Sequence, residues 1–174
     1  ALRQLFAHIP DDTGMAFIVI QHLDPDHPSM LTALLGSDLR IPVVEVTEGM
    51  RAEPNRVHVI PPGTDLSIAQ GILTLSPRQL TRRLHLAIDS FFRALADDEL
   101  ATAIGVVLSG SASDGTEGLR AIKAAGGITF AQSPESAQLS SMPQSAISAG
   151  VLDFPLSPEA IANAFARLSR EQYL

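Results

Sequence analysis

The stretch Ile104–Ala131, IGVVLSGSASDGTEGLRAIKAAGGITFA, decides the fold. Its first five residues, IGVVL, are apolar throughout, as a strand covered on both faces must be. A loop rich in Gly and Ser follows, and Thr116–Ala125 then reads as a helix. The pair Gly126-Gly127 closes that helix as a left-handed cap. The next strand opens directly at Ile128.

The same alternation extends outward from this unit. On its N-terminal side, Ala16–Ile20 (AFIVI) and Val57–Ile60 read as buried strands, the second stopped by Pro61-Pro62. Leu66–Leu75 reads as a hairpin turning near Gln70-Gly71. Ala1–Ala7 reads as the end of a helix, and further helices are expected over Ser29–Leu39 and Ile88–Leu95. On the C-terminal side the pattern predicts a short helix over Pro143–Ala149, a strand over Val151–Phe154 and an amphipathic helix over Pro158–Leu168. Buried strands alternating with helices imply an α/β fold: a doubly wound, mostly parallel sheet with helices on both faces, plus a β-hairpin insertion. No linker, repeat or low-complexity tract divides residues 1–174, so a single domain is expected, incomplete at its N-terminus because the pattern begins inside a helix.

Composition narrows the function. The 174 residues are 45% hydrophobic and 18% charged, against a usual charged share of about 25%. Twelve basic residues stand against 19 acidic ones, a net charge of -7, and only Arg82-Arg83 is a basic pair. Nucleic-acid binding, which needs clustered cations, is therefore not expected. There is no cysteine, hence no disulfide and no thiolate metal site. No apolar run approaches the ~20 residues that span a bilayer.

In an open parallel sheet the active groups gather beyond the carboxyl ends of the strands. After AFIVI come Gln21 and His22; after IGVVL comes the loop Ser109–Gly115, which contains Asp114; after ITFA come Gln132 and Ser133. His22 and Asp114 thus fall at one edge of the sheet. An imidazole oriented by a carboxylate is the base half of a serine-hydrolase triad. The plainer alternative is that His22 ends a strand and Asp114 caps the helix after it. The Gly-rich loop matches neither phosphate-binding spacing, though its backbone N–H groups could face a developing oxyanion. Asp24, Asp26 and His27 lack a second cluster to complete a metal shell, so no metal or cofactor is expected. His8, His58 and His85 stand alone as surface or strand histidines, and Ser109, Ser111 and Ser113 read as turn or cap residues.

Five segments, in order along the chain, resemble the CheB-type methylesterase domain of bacterial chemotaxis. They are IVIQHLDPDHPSML, MRAEPNRVHVIPPG, HLAIDSFFRALA, IGVVLSGSASDGTEGLRAIKAAGG and AQSPESAQLSSMPQSAISAGVLD. The first two look especially like the branch fused to a receptor methyltransferase domain. The resemblance implies hydrolysis of glutamate methyl esters on the cytoplasmic helices of chemoreceptors, with glutamine deamidation in many members. It implies a cytoplasmic domain whose possible partners include a fused methyltransferase or receiver domain. His22 matches the histidine of the family's Gln-His motif, and Asp114 matches the aspartate of its Ser/Thr-Gly-x-x-x-Asp-Gly motif. Three residues before Asp114, where some members place a Met beside the oxyanion, this chain has Ser111. The family's nucleophile lies in a Gly-x-Ser-x-Gly-Gly turn ahead of a helix resembling ALRQLF, so the resemblance puts the serine upstream of Ala1. The alternative is a non-catalytic module that binds a receptor or partner domain on the same fold.

Overall fold

The computed structural model describes residues 1–21, 39–77, 86–109 and 113–171. His22, Ser111, the acidic loop with His27, His85 and nearly all of the helix expected over Ser29–Leu39 lie outside the described residues.

Two three-stranded parallel sheets carry the chain. The first is ordered β1 (Ala16–Val19), β3 (Arg56–Val59), β2 (Val43–Glu45). The second is ordered β6 (Ile104–Val107), β7 (Ile128–Gln132), β8 (Phe154–Leu156). Between them in sequence lies the antiparallel hairpin β4 (Thr64–Ala69) and β5 (Ile72–Pro77). Its two-residue turn is the one expected: Gln70 and Gly71 both take positive φ, 51° and 75°, as a type I′ turn requires.

Period-two alternation sends side chains of one strand into two separate cores. Phe17 and Val19 of β1 pack with α1 (Leu2–Ala7) and the terminal helix Pro158–Glu171, whereas Ile18 and Ile20 face the other core. That other core is built on α2 (Ala87–Glu99), α3 (Thr116–Ala124), α4 (Ser141–Ser148) and the hairpin. The terminal helix, α5, adds Ile161, Ala162 and Phe165 to a cluster of rings. Phe165 stacks on Phe17 with centroids 6.2 Å apart and meets Phe130 edge-on at 5.7 Å, geometries that favour aromatic pairs. Helices therefore cover both faces of a mostly parallel sheet arrangement, as expected.

The glycine cap of α3 is also as expected. Gly126 has φ +92°, its N–H donates to the Lys123 carbonyl, and the Gly127 N–H reaches back to the Ile122 carbonyl at 2.9 Å. These two bonds satisfy carbonyls that a helix end leaves open.

Three local expectations need correction. β2 was not foreseen; it is three half-exposed residues after Pro42, with too little apolar signal to stand out. The last strand is Phe154–Leu156 rather than Val151–Phe154. Thr129 takes the preceding segment instead, donating its hydroxyl to the Val151 carbonyl at 2.7 Å, while Asp153 accepts the Thr129 N–H at 2.9 Å. β8 contains Pro155 and lies at the sheet edge, where a missing N–H costs no ladder bond. α4 begins at Ser141, which leaves Pro143 in its first turn.

His58 is fully buried on β3, at 0% exposure. One ring nitrogen, Nδ1, lies 2.9 Å from the Phe17 carbonyl, and the other, Nε2, accepts the Glu53 N–H at 3.1 Å. Only the neutral ring protonated at Nδ1 satisfies both partners. Burial pushes its pKa below 6.5, against a smaller upward pull from the Phe17 carbonyl. As pH falls below about 6.5 the unfolded chain takes up a proton that the folded imidazole resists, so His58 stabilises the fold above that pH and loses its contribution below it. His58→Phe removes the ring's bond to the Phe17 carbonyl and takes the acceptor from the Glu53 N–H, and should cost about 1–3 kcal/mol at neutral pH. Urea unfolding of both proteins at pH 7.5 and pH 5 should show that gap narrowing; a gap independent of pH would mean His58 is not held neutral.

Candidate active site

The carboxyl end of β6 leads through Leu108 and Ser109 into the Gly-rich loop and then to Asp114. Ser109 is held by Gln132, the last residue of β7: the Gln132 amide oxygen accepts the Ser109 N–H at 2.8 Å, and its NH2 donates to the Ser136 carbonyl at 2.9 Å. Gln132 is itself buried. The start of the loop is thereby pinned to the neighbouring strand.

Asp114 is 1% exposed. The N-cap of the helix after it, α3, is Gly115, which has no side chain to cap with. The Asp114 carboxylate reaches to α2, where Oδ2 accepts the Ile88 N–H at 2.9 Å and Oδ1 accepts the Asp89 N–H at 2.8 Å. These are the second and third N–H groups of α2, the ones an N-cap side chain ordinarily serves. Leu86, at the N-cap of α2, offers no side-chain bond of its own.

Asp89 returns the contact. Its Oδ1 accepts the N–H groups of Gly115 at 2.9 Å and Gly118 at 2.7 Å, the N-cap and third residue of α3. Each helix start is thus capped by a carboxylate from the start of the other. The helices can meet so closely because Gly118 has no side chain; a Cβ there would stand 2.5 Å from Cβ of Phe92. Asp89 is 2% exposed. Burial raises its pKa and the Asp114 charge adds to this, while the N–H groups of Gly118 and Gly115 and the Arg93 charge pull the other way. Thr116 and Ser145 exchange a hydroxyl bond of 2.9 Å that ties α3 to α4.

A cavity of about 740 Å³ lies between β1 and β6. Both strands are at the ends of their sheets, so their facing edges are unpaired among the described residues. Residues of α1 and α5 line the cavity from one side and residues of α2 from the other. Gln21, the residue before His22, and Ser109 line the same space. The carboxyl ends of β1 and β6 therefore open on one cavity, as the sequence-based expectation for His22 and Asp114 requires, although His22 lies outside the described residues. Asp89 was missed by the sequence reading. Its signal was an acidic residue in the first turn of a helix whose neighbours Ile88, Phe91 and Phe92 are all inward.

Parallel strands covered by helices, with a buried carboxylate just past the end of a strand, define an α/β domain whose chemistry belongs at the carboxyl edge of its sheet. The chain belongs to the CheB methylesterase family, whose model matches residues 1–165. A putative protein-glutamate methylesterase/protein-glutamine glutaminase of Leptospira interrogans is 30% identical over 98% of this chain and 89% of its own length. A 104.1 kDa protein of Rhodobacter capsulatus is 40% identical over 75% of this chain, but the match spans only 14% of that protein. Protein-glutamate methylesterase/protein-glutamine glutaminase 6 of Anaeromyxobacter dehalogenans is 30% identical over 98% of this chain and 51% of its length, so the chain spans about half of that relative. In structure, the catalytic domain of Thermotoga maritima CheB methylesterase superposes with a TM-score of 0.85 over 96% of this chain and 90% of that one, at 24% identity, which fixes the fold.

Proposed function

We propose that residues 1–174 form one domain that supplies the base and its orienting carboxylate to a protein-glutamate methylesterase, and that the nucleophilic serine is carried by polypeptide preceding Ala1. The observation that carries this reading is Asp114: a buried carboxylate in the loop that follows β6, held by the Ile88 and Asp89 N–H groups, a loop whose first residue, Ser109, lines the same cavity as Gln21. A carboxylate is an acceptor with about four lone-pair sites, the chemistry that an imidazole N–H requires of its orienting partner.

In this reading His22 takes the proton of the serine hydroxyl as the serine oxygen attacks the glutamyl ester carbonyl. Asp114 holds the ring in the tautomer whose other nitrogen is free to accept, and balances the imidazolium charge. The tetrahedral intermediate collapses, His22 returns the proton to the departing methoxide, and methanol leaves. Water, deprotonated by the same imidazole, then attacks the acyl carbonyl; the bond to the serine oxygen breaks, His22 returns the proton to that oxygen, and glutamate is released. A glutamine side chain would follow the same steps with ammonia as the leaving group.

The cavity supports an upstream strand. Its two walls are strands at the ends of their sheets, each with one edge open among the described residues, and its apolar lining comes from helices on both sides. A short apolar strand parallel to β1 and β6 would satisfy both edges, which otherwise leave buried backbone groups without partners. Its carboxyl end would deliver the following turn beside Gln21 and Ser109.

The substrates are methylated helices of chemoreceptors, and the domain works in the cytoplasm where those helices lie. Among the described residues no helix is long and apolar enough to cross a membrane. The match to a small part of a 104.1 kDa protein supports a setting in which the domain is joined to others, such as a receptor methyltransferase. The non-catalytic module remains as the second reading because the Asp114 clasp would stabilise the fold even without chemistry. Methanol release from methylated receptor by the full-length protein, wild type against Asp114→Asn, separates the two.

A further inference from the structure

We propose that Asp89 is a positioning residue of this site: its carboxylate fixes the Gly115–Gly118 turn, and through it Asp114, and sets a second carboxylate beside that of Asp114. The inference rests on the reading of His22 and Asp114 given above.

The geometry is reciprocal. Asp114 holds the first turn of α2 by two backbone N–H groups, and Asp89, standing on that turn, holds the first turn of α3 by two more. Gly115 directly follows Asp114, so its bond to Asp89 clamps the peptide on which Asp114 is carried. Neither carboxylate can shift without breaking bonds at both helix starts. The arrangement also concentrates two buried anions at one point. The charges acting on Asp89 are Asp114 and, more weakly and with opposite sign, Arg93 of the same helix. A helix cap needs only one acceptor oxygen, and a neutral side chain can supply it. A second carboxylate beside the first adds what a cap does not need: negative potential that stabilises an imidazolium.

A conservative substitution separates the two roles. Both bonds of Asp89 are made by Oδ1 alone, so Asp89→Asn can keep them while removing the charge. The experiment is an NMR titration of the His22 imidazole in the full-length protein, for wild type, Asp89→Asn and Asp114→Asn, with melting recorded for each. Loss of a nearby anion destabilises the protonated ring, so Asp89→Asn should lower the His22 pKa by roughly half a unit to one unit. Asp114→Asn should lower it further. If Asp89→Asn melts too early to titrate, Asp89→Ser, whose hydroxyl oxygen can accept but carries no charge, must show the same downward shift. A His22 titration unchanged in either Asp89 variant, with the Asp114→Asn shift present, would overturn the proposal and leave Asp89 a cap. No shift in Asp114→Asn would instead overturn the pairing on which the proposal rests.

Discussion

Asp114→Asn in the full-length protein should cut methanol release from methylated receptor by about ten-thousandfold while the protein stays folded. The magnitude is that of the corresponding change in a well-characterised serine protease triad, and it sets only a scale. An amide in place of the carboxylate can hold the imidazole in the wrong tautomer and cannot balance the charge that develops on it. The clasp adds a second consequence. Asp114 serves Ile88 with one oxygen and Asp89 with the other. Asn has one oxygen and an NH2, so one of those N–H groups loses its acceptor. That should cost about 1–3 kcal/mol, seen as a melting temperature lower by roughly 2–12 °C. The two effects are separable because activity can be measured well below the melting range. If Asp114 were only a clasp, the loss of rate would follow the small loss of folded protein. Near-normal turnover in Asp114→Asn would therefore remove it from the mechanism and favour the binding module.

A loss of similar size is expected when the upstream polypeptide is left off. Residues 1–174 contain the proposed base and carboxylate but, in this reading, not the nucleophile. Removing the nucleophile from a triad typically lowers turnover by several orders of magnitude, because base and carboxylate alone form no acyl-enzyme. Residues 1–174 should release methanol no faster than about a thousandth of the full-length rate. The cavity between β1 and β6 gives the deletion a structural consequence as well. The full-length protein should melt at a higher temperature, since filling the cavity pairs two strand edges and covers apolar wall. Methanol release at the full-length rate by residues 1–174 would refute this assignment and point to one of the loop serines, Ser109, Ser111 or Ser113.

Much of the fold was legible because its strongest signals are local. AFIVI and IGVVL are apolar throughout, and β1 and β6 follow them closely. Gln70-Gly71 and Gly126-Gly127 are turn and cap chemistry that few other residue pairs supply, and both appear where expected. The weak elements were missed for equally physical reasons. β2 is short and half-exposed, and β8 tolerates Pro155 only because it is an edge. The site was legible only as a place. Position after a buried strand singled out Asp114, but its partners, Ile88 and Asp89, are 26 and 25 residues away in sequence. A reading along the chain could see only the helix that starts next to it, and so the alternative it offered for Asp114 was a cap on that helix. Asp89 was invisible for the same reason. Its role depends on a contact between two helix starts that Gly118 permits and no local pattern announces.

The account stands most directly on one distance. A crystal structure of the full-length protein should place Nδ1 or Nε2 of His22 within about 3.2 Å of an Asp114 carboxylate oxygen, an ångström or so looser without substrate, with the other ring nitrogen facing the cavity between β1 and β6. Side chains of His22 and Asp114 turned to different edges of the sheet would contradict it.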